Sequence, residues 1–193
     1  MTELVRLVAV DALPEDLREQ WEATPRPGLR DFIRLMAHAP DQFRRYNDVY
    51  GHLRFDNHLG ARVTELVRLA VARTTRCQVC MAGRDPGAIA QGLTEELVAE
   101  IGTTDPELMT PSERVAVDFA TKFATDHLAI TDADKAELRA HFTPEQIVEL
   151  GLLCVMCLVG RFSMLAGLQE ASDGGSDRGR LGRVEPGLAR RGR

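Results

Sequence analysis

Two tetrapeptides, Thr110-Pro111-Ser112-Glu113 and Thr143-Pro144-Glu145-Gln146, constrain the fold of this chain more than any other feature. Each sets a hydroxyl at an N-cap, a proline at the first helical position and a carboxylate or amide two residues further on, the reciprocal capping box that opens an α-helix. Thr94 and Thr131 are simpler N-caps of the same kind. Pro40 can occupy the first turn of a helix running to about Leu53. After His58 or Gly60, the residues Val63, Leu66, Val67, Ala70 and Val71 recur with helical periodicity. Strand alternation is hard to find. These signals place helices near 14–22, 30–38, 41–53, 60–74, 77–91, 95–101, 111–127, 132–141 and 144–171, so the expected fold class is all-α. The openings at 93–98, 110–115 and 143–148 look alike, but nothing else recurs at a fixed period, which favours shared capping chemistry over internal duplication.

At 193 residues the chain is long enough for one sizeable core. Residues 29–171 form the expected helical domain. Residues 1–28 form an extension whose Leu4, Val5, Leu7, Val8 and Val10 are apolar enough to pack on the body or on a neighbouring subunit. From Ser172 onward the sequence holds glycines, arginines and almost no apolar residues, which reads as a flexible tail over 172–193. The net charge is −5, and the last 22 residues carry six arginines against Asp173, Asp177 and Glu185, so the rest of the chain is acidic. An acidic body argues against a nucleic-acid partner. No run approaches the roughly 18 apolar residues that span a bilayer, and the first ten residues lack the layout of a secretory signal. The expectation is a cytoplasmic protein without a membrane partner. In that compartment a paired cysteine motif is redox-active or metal-binding before it is a structural disulfide.

Cys77-Gln78-Val79-Cys80 is such a motif. If the helix at 60–74 turns near Thr75-Arg76 into a second helix beginning at Cys77, the two run antiparallel and Glu65 lies opposite Arg84 or Asp85. Cys77, Cys80 and Arg84, spaced i, i+3, i+7, would then share one face. The first turn of a helix offers unpaired N–H groups and partial positive charge, both of which favour a thiolate, and on this ground alone Cys77 would be the more acidic thiol. The bland alternative is a pair of small buried residues. Cys154-Val155-Met156-Cys157 is a second pair, and two such pairs invite a four-thiolate zinc site. It sits inside a continuously apolar stretch without loops, so core packing is the reading taken and no metal is expected. His38, beside Pro40, reads as a capping or packing residue, while His52 and His58 could line a pocket next to the thiols.

In Glu65, Cys77 and Cys80 the chain resembles the AhpD-like alkylhydroperoxidase and carboxymuconolactone decarboxylase superfamily. Its thiol members carry Glu, about eleven residues, Cys-x-x-Cys, three residues, then His. The resemblance runs from roughly Leu29 to Leu168 and includes Met36-Ala37-His38-Ala39-Pro40 and Gly92-Leu93-Thr94-Glu95-Glu96. It implies an oligomeric helical thiol peroxidase, a trimer or hexamer, with no bound cofactor. The residue matching Cys80 attacks a hydroperoxide substrate, the one matching Cys77 resolves it, Glu65 acts in proton transfer and an external dithiol reductant restores the pair. The chain departs from the pattern at Arg84, which stands where the histidine would. Arginine stays charged and cannot relay a proton, so Arg84 either attracts a thiolate or pairs with Glu65, and peroxidase activity is expected to be slow or altered. The rival readings are a lyase of the carboxymuconolactone decarboxylase branch and a non-enzymatic redox sensor or scaffold.

Overall fold

The computed structural model describes residues 4–104 and 106–169, and among these every regular element is a helix. The expected tail at 172–193 lies outside the described residues. After a 3-10 turn at Val10–Ala12, helices α1 (Glu15–Ala23) and α2 (Pro27–Met36) pack on each other. Then come α3 (Pro40–Phe55), α4 (Ala61–Thr75), and the short α5 (Gln78–Met81), α6 (Pro86–Ala90) and α7 (Glu95–Ala99). The chain closes with α8 (Pro111–Thr125), a 3-10 turn at His127–Ala129, α9 (Asp132–His141), α10 (Pro144–Cys157) and α11 (Val159–Leu165).

The capping boxes at Thr110 and Thr143 form as their sequence predicts, with Glu113 and Gln146 reaching back to the cap amide at 2.8 and 3.0 Å. Thr131 has one too, through Asp134. Helix α4 is the axis of the fold, packed between α8 and α10 with α3, α5, α6 and α11 around it. Its Leu66, Val67, Leu69 and Val71 are all but inaccessible, and burying each such side chain contributes about 1.5–3 kcal/mol. A second core joins Leu17, Ile33 and Phe43 near the N-terminus. A third places Val5, Leu7, Leu35 and Leu168 around Cys77 and Val79.

Two expected helices are broken. The span 77–91 divides into α5 and α6 because Pro86 holds Asp85 in an extended conformation (φ −75°, ψ 125°), from which its carboxylate caps α6 through the Ala88 amide at 3.0 Å. The span 144–171 divides at Leu158, and the last helical residue is Leu165. By length and composition alone, Pro144–Leu165 could cross a membrane, contrary to the sequence expectation. Here Leu150, Leu153 and Cys154 face the core, while Val148, Leu152, Val155, Phe162 and Leu165 are exposed.

Candidate active site around Cys77 and Cys80

Helix α4 ends in a left-handed residue, Arg76 (φ 54°). The Arg76 amide donates to Arg73 O at 3.2 Å and the Cys77 amide to Ala72 O at 3.0 Å, the paired bonds of a Schellman stop. This reversal delivers Cys77 to the N-cap of α5, where its Sγ accepts from the Cys80 amide at 3.2 Å. The two cysteines are joined in a disulfide, with Cα atoms 5.2 Å apart. Cys77 is fully buried and Cys80 half-buried. Gly160, in α11, lies against Cys77: a Cβ there would stand 3.0 Å from the Cys77 Cβ and 3.3 Å from its Sγ.

Glu65 is buried (0% exposed) rather than on the surface. Its Oε1 accepts from Arg68 Nη2 at 2.6 Å and from the Asp85 amide at 3.0 Å. Its Oε2 accepts from Arg68 Nε at 2.8 Å and Arg54 Nη2 at 3.0 Å. Burial alone would raise its pKa, but the Arg68 and Arg54 guanidiniums outweigh that and hold it at about 2. Arg68 continues to the Cys80 carbonyl and, at 2.9 Å, to the Gly83 carbonyl. Arg54 also donates to Tyr50 Oη at 3.3 Å, and that hydroxyl lies 3.9 Å from Cys157 Sγ. Burial pushes Tyr50 up to about 12 and raises Cys157 as well.

The antiparallel geometry expected of residues 60–85 thus brings Glu65 to Asp85, but not to Arg84. With the helix broken before Pro86, the Arg84 side chain turns to Glu95, pairing at 2.9 and 3.0 Å, and donates to Met81 O at 2.7 Å. The predicted histidines go elsewhere. His38 bonds the Arg6 carbonyl at 2.7 Å; His52 lies between Asp48 and Asp56, 3.9 and 3.5 Å away; His58 pairs with Glu149 at 2.8 Å. Cys154 and Cys157 are free, buried thiols. Among the described residues no three His, Cys, Asp or Glu side chains converge as a metal site requires. The residues that sequence reasoning missed are Arg68, Arg54, Tyr50 and Asp85. Arg68 stood at i+3 from Glu65, a spacing that signals an ion pair, whereas Arg54 and Tyr50 join the site only through the packing of α3 on α4.

The pattern of the carboxymuconolactone decarboxylase family matches residues 40–122, a span that includes Glu65, both site cysteines and Arg84. Among solved structures, a peroxidase-related protein with an alkylhydroperoxidase AhpD core from Ralstonia eutropha JMP134 superposes with a TM-score of 0.70 at 20% identity, covering 88% of this chain and 93% of its own. Over residues 40–122 the chain carries the carboxymuconolactone decarboxylase pattern, on an AhpD-like fold. A peroxidase-related protein from Silicibacter sp. TM1040 has the same fold (TM-score 0.72, 16% identity, 88% of this chain and 92% of its own). So has the debrominase Bmp8 in complex with 2,3,4-tribromopyrrole (TM-score 0.68, 16% identity, 89% and 94%). No curated protein matches in sequence. Arg84, at the position where the resemblance expects a histidine, pairs with Glu95, while the guanidinium groups of Arg68 and Arg54 surround Glu65.

Proposed function

We propose that this protein is a thiol-dependent hydroperoxide reductase and disulfide oxidoreductase. The Cys80 thiolate attacks the peroxide oxygen, leaving a sulfenic acid on Cys80 and releasing the alcohol. Cys77 then displaces water to form the Cys77–Cys80 disulfide, and an external dithiol returns two electrons and two protons by exchange. No bound cofactor enters this cycle. The observation that carries the reading is the exposure asymmetry of a disulfide-bonded pair: Cys80 is half-open to a substrate, while Cys77 sits behind it within bonding reach. For that reason the attacking role goes to Cys80, although Cys77 holds the N-cap. The exposed apolar stripe of α10 and α11 fits a homo-oligomer, and the reducing cytoplasm is the compartment in which such a pair would cycle.

The shared fold with a debrominase favours a second reading, reductive dehalogenation. There the same two thiols would supply two electrons, an aryl bromide becoming the arene and bromide while the pair becomes a disulfide. A lyase acting without thiols leaves the disulfide-bonded pair without a role.

Peroxide consumption by purified protein with a dithiol reductant tests the proposal, with free thiols counted before and after. Turnover lost in both Cys80→Ser and Cys77→Ser, and two thiols consumed per oxidised chain, is the expected result. Thiols that oxidise once without sustained consumption mark a redox sensor instead. Bromide release from a bromopyrrole in place of peroxide loss moves the reading to the dehalogenase.

A further inference from the structure

We infer that Arg68 is the residue that positions and tunes Cys80, and that Glu65 serves as its fixed counter-anion rather than as a proton carrier. The inference takes Cys80 as the attacking thiol from the proposed function, but it concerns how that thiol is ionised. A carboxylate offers roughly four lone-pair directions, and the two oxygens of Glu65 already accept four N–H bonds at 2.6–3.0 Å with no solvent contact. Three of those donors are guanidinium N–H groups, which do not release protons in this range, and the fourth is a backbone amide. Taking up a proton would break a charge-assisted bond with nothing to replace it. Glu65 therefore behaves as a permanent charge.

Arg68 uses its fork differently. Nε and Nη2 grip Glu65, the second Nη2 hydrogen reaches Gly83 O at 2.9 Å, and Nη1 reaches the carbonyl of Cys80 itself. The cation is thus held against the thiol's own residue. The charged and titratable groups around it are Glu65 on α4, Arg54 and Tyr50 on α3, Asp85 before α6 and Cys157 on α10. Burial keeps Tyr50 and Cys157 neutral near neutral pH. Arg54 and Arg68 balance Glu65 and Asp85 in number, so at a distance the cluster cancels, and Arg68 is the member that bonds Cys80, through its backbone carbonyl. On the other sides of the motif Arg26 donates to Val79 O, and Arg84, bound to Met81 O, has its charge offset by Glu95. A cation beside a thiol favours the thiolate.

The test is the pH dependence of Cys80 alkylation by iodoacetamide in the reduced Cys77→Ser protein, where no peroxide is involved. Arg68→Gln should raise the midpoint by about one pH unit, roughly a tenfold loss of thiolate below it. Glu65→Gln should lower the midpoint, because the nearby cations lose their counter-anion. Opposite directions are the signature, since loosening of the site would move both variants the same way. A midpoint unmoved or lowered in Arg68→Gln, or both variants shifting together, overturns the inference. If the variants do not fold, the wild-type protein decides through its 13C-labelled glutamate carboxyl signals: Glu65 should not titrate between pH 4 and 8, and titration there overturns the inference. A protein that alkylates as expected but consumes no peroxide refutes the peroxidase proposal alone.

Discussion

Glu65→Gln is also the substitution that weighs how much the buried ion cluster contributes to the fold. The carboxylate is 0% exposed and held at about 2, against an ordinary 4.5. At about 1.4 kcal/mol per pKa unit, its ionisation in the folded protein contributes about 3 kcal/mol of stability. That figure agrees with the roughly 3–5 kcal/mol lost when one partner of a buried pair is removed. The sign follows from the direction of the change. A folded pKa below the unfolded one gives stability that is fully present above about 4.5 and lost as pH falls toward about 2. Urea unfolding of the wild type and Glu65→Gln, run at several pH values from 7 down to 3, should therefore show the variant about 3 kcal/mol weaker at pH 7 and the gap closing below pH 4.5. Parallel stability curves across that range would show that Glu65 is not held ionised by Arg68 and Arg54, and would refute the reasoning.

Three further expectations concern other parts of the molecule. Gly160→Ala should lower stability by about 1–2 kcal/mol in urea denaturation, because the added methyl meets Cys77 at 3.0 Å and Thr75 Oγ1 at 3.1 Å, and overpacking outweighs the gain in helix propensity; a more stable variant would contradict this. Arg84→His should not raise peroxide turnover, because the side chain at this position is directed to Glu95 rather than Glu65, and a faster enzyme would show that position 84 reaches the thiols. His58 should titrate above its ordinary 6.5, since the Glu149 carboxylate at 2.8 Å favours the imidazolium. This bond helps the fold below pH 6.5 and is lost as pH rises through the raised value, so NMR titration of Glu149→Gln should find the His58 midpoint lower.

The helices and their starts were legible because capping is local: Thr110, Thr131 and Thr143 satisfy amide groups within three residues of themselves. The motif was legible for the same reason, since a Cys-x-x-Cys pair needs only one helical turn to close. The break at Pro86 was also local, and the sequence carried its signal in Asp85-Pro86. Because that break separates α5, which ends at Met81, from α6, Arg84 lies outside the continuous 77–91 helix expected from spacing.

The electrostatics of the site were decided by tertiary structure. Glu65, Cys77, Cys80 and the turn between their helices could be named from spacing, but the charges that fix Glu65 come from Arg68 one turn on and from Arg54 on another helix. Whether a carboxylate carries a proton or stands as a permanent anion depends on how many donors reach its two oxygens and whether water does. Those donors come from residues 54, 68 and 85, brought together by the packing of α3 and α6 on α4. Which chemical groups the chain has, and which helices carry them, follow from the order of its residues. Packing alone set their distances and their exclusion from solvent, because charge interactions depend on separation and dielectric, neither of which follows from spacing along the chain.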